Sequence, residues 1–89
     1  MPEITRIANL RPLPDLKLLV RFDNGRTVLY DVAEDVRDIP SYEPLRTLEG
    51  LFQQVNLDES RTCVWWNDEI DLPSDAIYEF GREVAPASA

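Results

Sequence analysis

The sequence predicts an α+β fold: a small single domain with an antiparallel β-sheet of two hairpins plus short strands, and two short α-helices. Two patterns carry the sheet. Leu16, Leu18, Val20 and Phe22 alternate with Lys17, Leu19 and Arg21 and run straight into Asp23-Asn24-Gly25, the period of a half-buried strand followed by turn residues. Val55 to Leu57 and Thr62 to Trp66 flank the polar loop Asp58-Glu59-Ser60-Arg61, the pattern of a second hairpin. The helices are carried by apolar residues near helical spacing between Tyr42 and Val55, and by Pro73, Asp75 and Gly81 around a short apolar-faced run. A chain of 89 residues builds one core. The domain is assigned to residues 1–81 and a flexible tail to residues 82–89.

Ile4 to Arg11 interleaves β-branched and apolar residues with Thr5, Arg6 and Asn9, a first strand that Pro12 and Pro14 end in a corner. In the strand from Leu16 to Phe22 the even-numbered residues point inward. Register then decides the faces. If Asp23-Asn24-Gly25 is the whole loop, Val20 pairs with Val28 and Leu18 with Tyr30 inside, and Leu19 lies opposite Leu29 outside. If Asn24-Gly25 alone is the loop, the outer pair becomes Leu19 with Tyr30. The first register is preferred, because it gathers Val28, Tyr30 and Val32 inside. The outer apolar pair is then packed by a later segment, offered to a partner, or exposed.

Asp31 to Pro40 predicts one helical turn or an irregular connection with solvated charges. Thr47 as N-cap and a helix from Leu48 to Gln54 keep Gly50 in the first turn, where it costs least, and make Phe52 the anchor. In the second hairpin Thr62, Val64 and Trp66 share one face and Cys63 and Trp65 the other, so one tryptophan is inside. Asn67 to Glu69 turns the chain into a brief strand from Ile70 to Leu72. Pro73 suits the first position of a closing helix, with Ala76, Ile77 and Phe80 buried and Gly81 ending it.

The composition excludes several chemistries. There is no histidine, so neither a Ser-His-Asp or Cys-His arrangement nor a histidine-ligated metal site is possible. The single cysteine, Cys63, forms no intramolecular disulfide and reads as a small core residue in a reducing compartment. MPEITRIANL lacks a basic start with an apolar run, and no apolar stretch is long enough to span a membrane; a cytoplasmic location is expected. Net charge is −8, unevenly spread: residues 1–56 carry nine acids and seven bases, residues 57–89 eight acids and two bases. Direct binding to nucleic acid is therefore not expected, and the acidic third attracts a basic partner or simply keeps the surface solvated.

Asp68, Glu69, Asp71 and Asp75 lack the residue order of a calcium loop. As a general acid and base they would need a pocket that the sequence does not supply. Asp71 is expected instead to accept from backbone donors at the turn or the start of the last helix. The adjacent tryptophans sit among acids rather than the bases of a stacking platform, and structural roles are expected for both.

LPDLKLLVRFDNG, YDV, PLRTLEGLFQQVNLD and VWWNDEIDLPSDAIY, in that order, resemble the bacterial family called domain of unknown function 2442 (DUF2442) over residues 4 to 79. Trp66, Asn67, Asp71, Leu72 and Tyr78 carry the most specific part, supported by Phe22, Gly25, Asp31, Leu45 and Phe52. The sequence departs from the family's frequent Pro-Asn-Gly turn in having Asn67-Asp68-Glu69, and its helix proline stands one position early, at Pro73 rather than at Ser74. The resemblance implies a small α+β domain without an established enzymatic activity or cofactor. Family members occur alone, fused to a helix-turn-helix domain, or encoded beside a small basic protein in pairs that look like toxin and antitoxin. No helix-turn-helix accompanies this sequence, which again disfavours DNA binding.

The expected function is therefore that of a non-enzymatic protein-binding module, antitoxin-like, contacting a small basic protein through Leu19, Leu29, Trp65, Asp68 and Glu69. Homo-oligomers are compatible with the same apolar pair. The alternative is a small-molecule sensor with a pocket between the sheet and the last helix, lined by Trp65 or Trp66 and Tyr78.

Overall fold

The computed structural model describes residues 6–84. Its strands are β1 (Ile7–Leu13), β2 (Lys17–Phe22), β3 (Thr27–Asp31), β4 (Asn56–Leu57), β5 (Cys63–Asn67), β6 (Ile70–Pro73) and β7 (Arg82–Glu83), and its helices are α1 (Val32–Asp38), α2 (Pro44–Thr47) and α3 (Ser74–Phe80). The strands form two antiparallel sheets, β1-β2-β3-β7 and β4-β5-β6. Both pack their apolar faces into one core containing Leu18, Val20, Phe22 and Val28 from the first sheet, Val64, Trp66, Ile70 and Leu72 from the second, and Val32, Val36 and Ile77 from the helices. The fold is α+β as predicted, with a second sheet and an additional helix.

The three-residue loop sets the register. The Phe22 amide donates to the Arg26 carbonyl at 2.8 Å, Gly25 takes φ +90°, and Val20 pairs with Val28, Leu18 with Tyr30 and Leu19 with Leu29. Asn24 closes the turn by accepting the Arg26 amide on its Oδ1 at 2.9 Å.

Several boundaries differ from expectation. β1 continues through Pro12 to Leu13, because β1 is an edge strand and proline's missing donor is tolerated there. The corner falls one residue later, with Asp15 and Leu16 both left-handed, at φ 66° and 59°. Leu16 is thus removed from the strand. It still packs against the core, and its carbonyl accepts the Val32 amide at 2.9 Å, contacts that offset the cost of a left-handed leucine.

Asp31 to Asp38 is more regular than predicted. The Asp31 carboxylate caps α1 by accepting the Ala33 amide at 3.0 Å, and Val32 and Val36, four apart, enter the core. Its charges are not all merely solvated: Asp35 accepts the Tyr30 hydroxyl at 2.6 Å.

The helix expected from Leu48 to Gln54 does not form. Thr47 ends α2, its hydroxyl donating back to the Glu43 carbonyl at 3.3 Å, and Leu48 is extended. Gly50 sits at φ +86°, which a helix interior does not accommodate. A single 3-10 turn, Phe52–Gln54, remains, with Phe52 buried as the anchor. Another, Pro40–Tyr42, places Tyr42 in the core.

In the closing segment Pro73 ends β6, and α3 begins at Ser74. Ile77 is fully buried, whereas Phe80, expected inside, is 72% exposed; three residues on from Ile77 it shares that side of α3, but it is the last residue of the helix and stands outside the core cluster. Gly81 follows with φ −71°, so left-handedness does not explain the glycine. A Cβ there would lie 2.5 Å from the Ile77 carbonyl oxygen and 3.1 Å from the Val28 side chain. That close approach lets Arg82 and Glu83 pair with Leu29 and Val28 as β7, so these two residues, assigned to the tail, belong to the sheet. Residues 85–89 of the predicted tail lie outside the described residues.

Candidate functional site

Two outward faces and a groove carry the side chains available for chemistry or recognition. On β5, Trp66 turns inward and Trp65 outward, with 4% and 38% of their surfaces exposed. The Trp66 ring stacks on Phe52 with centroids 5.8 Å apart, and its Nε1 donates to the Phe52 carbonyl at 3.0 Å. Trp65 has Asp71 of β6 across from it on one side and Asn56 of β4 on the other. Asp68 and Glu69 stand exposed at the tip of the β5-β6 turn. Among the described residues, none of Asp68, Glu69, Asp71 or Asp75 takes part in an ion pair.

The turn is held by Asn67, whose Oδ1 accepts the amides of Glu69 at 2.8 Å and Ile70 at 3.0 Å. This is the role expected of Asp71, and the shorter reach of a side chain inside the turn explains the exchange. Asp71 contributes its backbone instead, its carbonyl accepting the Tyr42 hydroxyl. Leu72 is buried. Tyr78 lies edge-on to Phe22 at 5.0 Å and under the Arg26 guanidinium at 4.6 Å, and its hydroxyl accepts from Asn24 Nδ2 at 3.0 Å. Trp66, Asn67, Leu72 and Tyr78 are thereby braces of the scaffold, and the exposed neighbour of the first, Trp65, is the side chain left for contact.

Leu19 and Leu29 face each other, half-buried, on the outward side of the first sheet. Trp65, Asp68 and Glu69 belong to the second. The structure brings the last three together with Asp71 and leaves the two leucines on a separate face, each face turned away from the shared core.

A groove of about 590 Å³ runs between α1 and the β3-β7 edge, lined by Leu29, Tyr30, Glu34, Asp35, Phe80 and Arg82 among others. Neither tryptophan nor Tyr78 lines it. Phe80 and Arg82 were missed by sequence reasoning, the first through its placement in the core and the second through its assignment to the tail. Burial and the bond to Asp35 push the Tyr30 hydroxyl well above the usual tyrosine range, so it stays a proton donor. Burial also pushes the half-buried Cys63 thiol up, away from nucleophile chemistry. Among the described residues no group of three or more cysteine, aspartate or glutamate side chains is placed to hold a metal ion, and no helix is long and apolar enough to cross a membrane.

Fold and faces together define a small α+β module of two antiparallel sheets on one core, with its polar side chains directed outward from both. The profile of DUF2442, described as a protein of unknown function, matches residues 7–83, and the chain belongs to that family. No curated protein and no solved structure matches it.

Proposed function

We propose that this domain is a non-enzymatic protein-binding module, antitoxin-like in role, which engages a small basic protein in the cytoplasm through the face around Trp65. One observation carries the reading: a tryptophan 38% exposed, with Asp71 across the sheet from it and, at the adjoining turn, Asp68 and Glu69, which form no ion pair among the described residues. An exposed indole supplies contact area at small entropic cost, and carboxylates around it steer a basic partner toward it. The genomic company that the family resemblance implies, a small basic protein encoded alongside, points the same way.

Recovery of the protein from its native host at low salt, followed by elution with rising salt, should release a small basic protein in stoichiometric amount. With that protein purified, Asp68→Ser together with Glu69→Ser should slow association and flatten its salt dependence, and Trp65→Ala should speed dissociation. An unchanged association rate in the double variant would reject steering by this face. Recovery of a homo-oligomer alone would shift the reading to self-association.

The second reading, small-molecule sensing, has the open groove beside α1 as its candidate site in place of the pocket expected at Trp65 or Trp66 and Tyr78, none of which lines it. Saturable stabilisation by a member of a metabolite panel, lost on Phe80→Ser, would support it over the first.

A further inference from the structure

The outward face of the first sheet carries a pattern that the overall charge of the chain conceals. Antiparallel register aligns Arg11 of β1 with Leu19 of β2, Leu19 with Leu29 of β3, and Leu29 with Arg82 of β7. The result is one cross-strand row of arginine, leucine, leucine and arginine. On one side of it lies the row Asn9, Arg21 and Thr27, and on the other Leu13, Lys17 and Asp31. Cross-strand partners share a face and residues two apart on a strand share it too, so all ten stand on the side away from the core. Arg11, Arg21 and Arg82 are exposed, and Leu13, Leu19 and Leu29 are half-buried.

Among the described residues none of Arg11, Lys17, Arg21 or Arg82 forms an ion pair. The single carboxylate on these rows, Asp31, is engaged in capping α1. In a chain of net charge −8, four cations that form no ion pair among the described residues thus stand around two leucines. α1 and α3 bury Val32, Val36 and Ile77 in the core on the other side of the sheet, and α1, with Glu34, Asp35 and Asp38, borders this face at its Lys17, Leu29 and Arg82 end.

We infer that this face docks an amphipathic helical segment of an acidic protein partner, its apolar stripe on Leu19 and Leu29 and the carboxylates of its two flanks on Arg11 and Arg82. The dimensions suit a helix. Three strand spacings put the columns of Arg11 and Arg82 roughly 14 Å apart, and a helix about 10 Å across lies between them with its flanking carboxylates in reach of both guanidinium groups. Lys17, Leu29 and Arg82 also line the groove beside α1, together with Phe80, so the surface continues past the sheet edge to an exposed aromatic side chain.

Nucleic acid suits the face less well. Leucines rather than stacking aromatics occupy the middle of the row. A second copy packed two-fold on the same face would set one arginine row against the other. The inference does not rest on the basic partner proposed for the Trp65 face, which lies elsewhere and has the opposite charge.

The test uses the isotope-labelled full chain and a synthetic peptide of about 14 residues, roughly 21 Å of helix, with a leucine stripe flanked on both sides by glutamates. Saturable shifts should appear at the amides of Leu19, Leu29 and Arg82. The same peptide with lysine for every glutamate should leave them unmoved. Arg11→Glu with Arg82→Glu should weaken the glutamate peptide about tenfold or more and let the lysine peptide bind. Should that variant lose its fold by circular dichroism, Arg11→Gln with Arg82→Gln must still weaken the glutamate peptide. Equal binding of both peptides, shifts confined to other faces, or no saturation would overturn the proposal. So would tighter binding of a short oligonucleotide at the same amides, or concentration-dependent shifts there without peptide, each assigning the face to a different occupant.

Discussion

Trp66 donates its indole N–H to the backbone carbonyl of Phe52 at 3.0 Å while the two rings stack. One side chain thereby ties the second sheet to the turn that replaces the predicted helix. Trp66→Ala should cost about 3 to 5 kcal/mol, the range for removing a large buried aromatic. Trp66→Phe keeps a ring but leaves the carbonyl without its donor, at about 1 to 3 kcal/mol. Trp65→Ala, on the outward face, should stay within about 1 kcal/mol of wild type. Urea unfolding followed by circular dichroism measures all three, and a reversed order would show that the two tryptophans have exchanged roles.

Gly81 is required for space rather than for backbone freedom. Its φ is −71°, yet an added Cβ would meet the Ile77 carbonyl oxygen at 2.5 Å. Gly81→Ala should therefore destabilise by about 1 to 3 kcal/mol, as overpacking does, and should free the Val84 amide, which bonds to the Thr27 carbonyl at 3.0 Å. Gly25→Ala is the control: it meets nothing within 4 Å and pays only for its φ of +90°, about 1 to 2 kcal/mol. Hydrogen exchange at Val84 separates them, with faster exchange expected in the Gly81 variant beyond its global loss of stability.

The parts legible in the sequence were those set by nearest neighbours. Alternation from Leu18 to Phe22 and the glycine of Asp23-Asn24-Gly25 leave two registers, and the one preferred for gathering Val28, Tyr30 and Val32 inside is the register observed. Packing across the core was not legible. Leu45, Leu48 and Phe52 are spaced as on a helix, but Gly50 at φ +86° breaks the run, and Leu45 and Phe52 reach the core from separate short turns while Leu48 is exposed. Helical spacing puts Phe80 on the side of Ile77, which is the buried side, but spacing does not tell how far along a short helix the core extends, and Phe80 ends α3 beyond it. The cationic row on the outer face needed β7, and β7 exists because Gly81 approaches Val28, a tertiary contact with no local signal.

Arg61 links three segments. Its guanidinium grips Asp23 through two nitrogens at 2.8 and 3.0 Å and reaches the Ile7 carbonyl at 3.3 Å, while its own carbonyl accepts the Ile7 amide at 2.8 Å. It does so from a left-handed backbone, φ 61°. The side-chain pair is 42% and 45% exposed, so solvent screening holds its contribution to below about 1 kcal/mol. Arg61→Ala loses the fork and keeps the strained backbone. Arg61→Gly loses the fork but relieves the strain, worth about 1 to 2 kcal/mol, and should leave stability near wild type. Glycine should then outrank alanine in urea midpoint, and the opposite ranking would show that the backbone here relaxes without glycine.

The Tyr42 hydroxyl makes the fold sensitive to alkali. It is buried and donates to the Asp71 carbonyl; burial, reinforced by the nearby carboxylates of Asp35 and Asp71, pushes its pKa up to about 12 from 10.0. The unfolded chain ionises at the ordinary value, so above about pH 10 deprotonation favours the unfolded state first. The stability that neutral Tyr42 secures is therefore complete below pH 10 and lost as pH rises toward about 12. Tyr30, raised in the same direction by burial and by Asp35, adds to the slope. Stability measured by urea unfolding between pH 8 and pH 12 should fall over the upper half of that range. Tyr42→Phe should be less stable at neutral pH, having left the Asp71 carbonyl without its donor, but should show a shallower alkaline slope. An unchanged slope would assign the alkaline loss to Tyr30 alone.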